Sequence, residues 1–138
     1  MHTTSDFLDE FERASALGDA QRTAALFADS FLSASADGVR VLTPADLVKA
    51  IPMRRAMLAK VGLGHATLAT HEAHDLDPHY VLLSGTWRWE LSQADAEPVT
   101  IELTSTFILH RAPLGLRVVF YRSGDITGEL RRRGLLDH

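Results

Sequence analysis

The spacing of apolar residues changes partway along the chain: it is helical in the first part and alternating in the second. Phe7, Phe11 and Ala14 fall at i, i+4 and i+7 and make the stripe of a first helix. Ser5 or Thr4 can cap it, and Gly18 ends it as a C′ glycine. Asp19 starts a second helix, with Leu26 and Phe27 facing inward and an end near Asp29. Phe31–Leu42 reads as a small hairpin around the two-residue turn Asp37-Gly38. Thr43-Pro44-Ala45-Asp46 combines a capping hydroxyl, a first-turn proline and a carboxylate at the positive helix end. Leu47 and Ile51 continue that third helix. Pro52 disfavours a helical Ile51 and removes a donor, so the pattern predicts a break and a second helical piece, Pro52–Val61, closed by Gly62.

Four strands are predicted next, at His65–Leu76, Tyr80–Ser92, Val99–His110 and Leu116–Ser123. The separators DPH, ADAEP and APLG are turn-rich and short, which favours antiparallel neighbours. A short helix around Ile126–Arg133 follows Gly124. Helices first and long strands afterwards describe an α+β domain, with the helices packed in the concave face of a strongly curved, mainly antiparallel sheet.

Alternation assigns faces. Val81, Leu83, Gly85, Trp87, Trp89 and Leu91 share one row, and Val99, Ile101, Leu103, Ser105, Phe107 and Leu109 another. In the last strand Leu116, Val118, Phe120 and Arg122 oppose Arg117, Val119, Tyr121 and Ser123. The face of the first strand is ambiguous. On these apolar rows Gly85 leaves a gap, Ser105 places a hydroxyl and Arg122 ends its row with a cation. A gap and a few polar groups in an apolar concavity suit a small-molecule site. The same features also fit curvature relief at Gly85, a backbone bond from Ser105 and an arginine that snorkels to the rim.

Composition narrows the possible chemistry. The 138 residues suit one domain, 1–138, with no repeat or linker. Net charge is −4 and pI about 5.9, so nothing favours nucleic acid or an anionic membrane. The absence of cysteine removes disulfides, thiolate nucleophiles and thiolate metal sites. No apolar run approaches a membrane span, and the acidic start MHTTSDFLDEFER lacks signal-peptide regions, so a cytoplasmic protein is expected. His71 and His74, three apart on a strand, point to opposite faces, and His74, Asp75 and His79 lie at a turn, so no metal or other cofactor is expected. His71 is a candidate for acid–base chemistry. Trp87 and Trp89 either clamp a flat ligand or fill the core. Met53 and Met57 make either an adaptable lid or core packing. Arg131–Arg133 reads as a solvated helix face.

A phenylalanine-bearing helix ending in LGD, a second ending in LFAD, a DG hairpin, a third helix and four long strands resemble the nuclear transport factor 2-like superfamily over roughly residues 5–124. ALGDAQRTAALFADSF is the most specific stretch. The resemblance implies a cone-shaped α+β barrel enclosing a pocket, and pairing through the outer sheet face. The closest flavour is that of SnoaL-like and ketosteroid-isomerase-like members. The isomerases need a carboxylate base and a tyrosine–aspartic acid pair to hold the dienolate oxygen. By alignment those three positions read Ser35, Phe11 and Ser105, so all three roles are vacant and no steroid isomerisation is expected. The Asp–Arg–Asp set of limonene-epoxide-hydrolase relatives is also missing, because the inner rows hold no Asp or Glu.

Three functions compete: a binder of a small, mostly apolar or amphipathic ligand; a polyketide-cyclase- or isomerase-like enzyme acting on a hydrophobic metabolite; and a dimeric assembly module with a vestigial pocket. The candidate pocket comprises Phe11, Phe31, Ser35, Met53, Met57, Gly85, Trp87, Trp89, Ser105, Phe107, Phe120 and Arg122, with His71, Ser35 and Ser105 as catalytic candidates. Arg122 is expected to hold the ligand's polar end. Outer positions Leu82, Ile108, Val119 and Tyr121 point to a homodimer.

Overall fold

The computed structural model describes residues 2–136; Met1, Asp137 and His138, the ends of the expected 1–138 domain, lie outside the described residues. Helix α1 spans Thr4–Leu17. Its cap is Thr3, one residue before the expected Thr4 and two before the expected Ser5, and its hydroxyl accepts from the Asp6 N–H at 3.1 Å. Gly18 closes it in a left-handed conformation. Helix α2 is shorter than expected, Ala20–Ala24, and Phe27 opens strand β1, Phe27–Ser35, rather than ending a helix. Phe27 and Phe31 are both buried. Four residues apart on a strand they share one face, and with the β1 register irregular between Phe27 and Leu32 their rings lie 4.6 Å apart.

Strand β2, Gly38–Leu42, returns antiparallel to β1. Ser35 pairs with Gly38, so the hairpin loop is Ala36-Asp37, one residue earlier than the expected Asp37-Gly38. Helix α3, Pro44–Lys60, runs unbroken through Pro52. Pro52 lies on the exposed side, where water can hydrate the carbonyl that its missing N–H leaves unbonded, so the helix continues.

Strands β3 (Thr67–Asp75), β4 (Tyr80–Leu91), β5 (Val99–Ala112) and β6 (Gly115–Arg122) complete one six-stranded sheet in the order β2-β1-β6-β5-β4-β3. Among the described residues only β1 and β6 pair in parallel. The sheet does not close on itself; β2 and β3 are its edges. Helix α4, Ile126–Arg132, ends the fold, and Glu129 on it pairs with Arg132 and Arg133. No described helix is long and apolar enough to cross a membrane.

The core has two centres. Phe7, Leu8 and Phe11 of α1 pack with Leu83, Phe107 and Val118 of the sheet. Leu58 of α3 and Ile126 and Leu130 of α4 pack with Leu91 and Ile101 at the other end of the long strands.

Candidate functional site

A cavity of about 190 Å³ is lined by members of both core centres, Phe11 and Trp87 from one and Leu58 from the other. Its sheet wall comes from Trp87 and Trp89 on β4 and Leu103 and Ser105 on β5. Tyr121, Ser123 and Gly124 extend that wall at the end of β6. The helical wall is Phe11 and Ser15 of α1, Thr23 of α2, and Leu47, Ile51, Arg54, Arg55 and Leu58 of α3. Gly64, His65 and Ala66, before β3, complete the rim.

Alternation along β4 and β5 explains the sheet wall. Trp87 stands opposite Leu103, and Gly85 opposite Ser105, so inward-facing residues of two neighbouring strands meet there. Trp87 is 5% exposed, and its Nε1–H is buried with no hydrogen-bond partner. A buried donor left unpaired costs about 1–3 kcal/mol. Ser105 is the buried hydroxyl beside it on the same wall.

Of the expected pocket residues, the cavity is lined by Phe11, Trp87, Trp89 and Ser105. The rest lie elsewhere, each for a physical reason. Gly85 leaves no gap, because Trp87 folds back over it; a Cβ there would sit 3.2 Å from the indole nitrogen and 3.3 Å from Leu68 Cδ1. Phe107 is fully buried among Phe7, Phe11 and Tyr121, and Phe31 packs on Phe27. Met53 points to solvent, 74% exposed, and Met57 packs against the second core centre. Ser35 sits exposed at the hairpin turn, where its hydroxyl accepts from the Asp37 N–H at 3.2 Å. His71 lies exposed on the edge strand β3.

Strand β6 accounts for the largest correction. A bulge places both Val118 and Val119 against the single step from Leu109 to Ile108, and the alternation reverses beyond it. Phe120 pairs with Ile108 and Arg122 with Thr106, so both leave the inner row for the outer face, and Arg122 is exposed. Tyr121 takes the inner place, with its ring 5.0 Å from Phe107 and 6.1 Å from Phe11. Strict alternation through Leu116–Ser123 hid this. One stripe of the helical wall does carry a signal, because Leu47, Ile51, Arg54 and Leu58 recur at helical spacing across Pro52, but the expected break at Pro52 divided it.

Chemically, the cavity is apolar with polar points. Thr23 is satisfied, donating to the Asp19 carbonyl at 3.0 Å. Arg55 donates to the Ser15 and Ala16 carbonyls at 3.1 and 3.2 Å and so caps the end of α1. Among the described residues no Asp or Glu lines the cavity, and no group of His, Asp and Glu is arranged to hold a metal ion.

The model of a family described as NTF2-like protein (DUF6841) matches residues 2–125. No curated protein matches the chain. Solved structures share the fold at low identity. Aln2 from a Streptomyces species is 16% identical, with a TM-score of 0.71 over 94% of this chain and 92% of that one. An NTF2-like protein with a cystatin-like fold from Novosphingobium aromaticivorans is 15% identical, with a TM-score of 0.69 over 96% and 86%. An NTF2-like protein of unknown function from Shewanella oneidensis is 17% identical, with a TM-score of 0.63 over 88% and 95%.

Proposed function

The chain belongs to the NTF2-like protein family, and we propose that within this fold it binds a small, mostly apolar ligand between its helices and its sheet. The observation that carries this reading is the cavity of about 190 Å³ that interrupts the core, with both tryptophans of the chain on its wall. Interiors normally close such gaps, because an empty space forfeits dispersion contacts on every side. An engineered apolar cavity of about 150 Å³ is large enough for benzene, so this volume suits a single substituted ring. Steroid isomerisation is not part of the proposal. Phe11 and Ser105 line the cavity without supplying a strong acid or base, and Ser35 is outside it. A cytoplasmic setting belongs to the same proposal, supported by a composition that uses no disulfide.

A homodimer is also proposed, from a separate observation. Val41, Leu32, Phe120, Ile108 and Leu82 are register partners in one row across five strands of the outer face. Val41 is 69% and Leu32 42% exposed. A continuous apolar row of this kind on an antiparallel face calls for a cover.

Because both tryptophans line the cavity, their emission reports its occupancy. Titration with 2-cyclohexylethanol, which does not absorb where tryptophan does, is expected to give a saturable blue shift as the ring displaces water. Unchanged emission up to the solubility limit of the alcohol contradicts a ligand cavity.

A further inference from the structure

Two guanidinium groups stand on the helical wall of the cavity, and they differ in what they do. Arg55 is occupied, since its two donors satisfy carbonyls at the end of α1. Arg54 has no hydrogen-bond or ion-pair partner among the described residues. Arg54 is exposed, yet it stands on the side of α3 that lines the cavity. It lies seven residues after Leu47, three after Ile51 and four before Leu58, at the centre of the stripe that faces the cavity. Helices of this kind put apolar residues on such a stripe and charges opposite.

The charges around the cavity are one-sided. Arg54 and Arg55 line it, and among the described residues no carboxylate does, although the chain carries 18 acidic against 14 basic residues. Asp9 and Glu12 line a separate groove that shares His65 with the cavity, and Glu12 is turned to the Leu68 N–H at 2.6 Å. We propose that the ligand is an amphipathic anion, with an apolar ring body inside the cavity and a carboxylate or comparable acidic group paired with Arg54 at its mouth. This rests on the reading of the cavity as a ligand site and names the class of ligand. The planar fork of Arg54 suits an oxyanion.

A matched pair of probes tests it. Cyclohexylacetate and cyclohexylacetamide share the ring and nearly the same size and differ in charge, and neither absorbs where tryptophan does. The acid is expected to bind about tenfold tighter than the amide at low salt, with the ratio falling as ionic strength rises. Arg54→Gln is expected to bring the ratio to about one, with far-UV circular dichroism confirming the fold. Arg122→Gln, on the outer face, is expected to leave the ratio at its wild-type value. Equal binding of acid and amide by the wild type overturns the anionic ligand while leaving the cavity reading in place. A ratio that survives Arg54→Gln overturns the assignment to this residue. Failure of both probes to bind overturns the cavity reading itself, and this inference with it.

Discussion

At the scale of single residues, the outcome depended on neighbours that alternation does not encode. Gly85 reads as a hole beside large side chains, but the Trp87 ring on the same row folds back to fill it. Ser105 reads as a polar point on an apolar wall, and it lines the cavity opposite Gly85. Arg122 reads as inward, and one inserted valine turns it out. Gly62 carries a testable consequence. Its φ of +94° is unfavourable for any residue with a Cβ, and a Cβ there would lie 2.2 Å from the Ser92 carbonyl oxygen. That oxygen belongs to a backbone fixed by the Ser92 N–H bond to the Gly62 carbonyl, so it cannot easily retreat. Gly62→Ala is expected to lose about 2–3 kcal/mol in urea unfolding. Gly38→Ala, also at positive φ but with open space around it, is expected to lose about 1 kcal/mol. Equal losses contradict the close contact at Gly62.

At the scale of elements, β4 and β5 were legible because their inner rows alternate without interruption, and Leu83, Phe107 and Leu109 are fully buried as that pattern predicts. Strands β1 and β6 were less so, because each carries a register irregularity that resets the alternation. Helix α3 reads as two pieces on the strength of Pro52, whose local penalty is offset by the helix on either side. Its start matches the sequence reading closely. Thr43 and Asp46 form a reciprocal capping box, with the Asp46 carboxylate accepting from the Thr43 N–H at 2.9 Å. The backbone and hydroxyl bonds from Thr43 hold the Asp46 carboxyl below its ordinary value of 3.8. A carboxyl whose pKa is lower folded than unfolded adds stability above the unfolded value, and that stability is lost as pH falls through the folded one. The melting temperature of Asp46→Asn is therefore expected to lie below wild type at neutral pH. The gap is expected to close as pH drops below the ordinary aspartate value. A gap that stays constant or widens with acid contradicts the box as the origin of the effect.

At the scale of the whole molecule, the helices-then-strands order announced an α+β fold. The NTF2-like family match and the shared folds agree with it, with the refinement that the sheet stays open at β2 and β3. The position of the cavity was only half legible. Its sheet wall follows from two inner rows, but its helical wall depends on how α3 crosses the sheet, which no local pattern specifies. The outer face carries the dimer proposal. Sedimentation at micromolar concentration is expected to show a species of about twice 15.2 kDa. Ile108→Asp, in the middle of the apolar row, is expected to shift it to the single-chain mass. A wild type that sediments as one chain contradicts the paired face.

The central claim, that the gap between the two core centres is a ligand site with a cationic mouth, is tested most directly by a crystal structure of the protein with cyclohexylacetate. The account predicts the ring between Trp89, Leu103 and Leu58, with the carboxylate within hydrogen-bonding distance of Arg54. A structure in which α3 has closed onto β5, Trp89 fills the space and the probe is absent or bound elsewhere contradicts it.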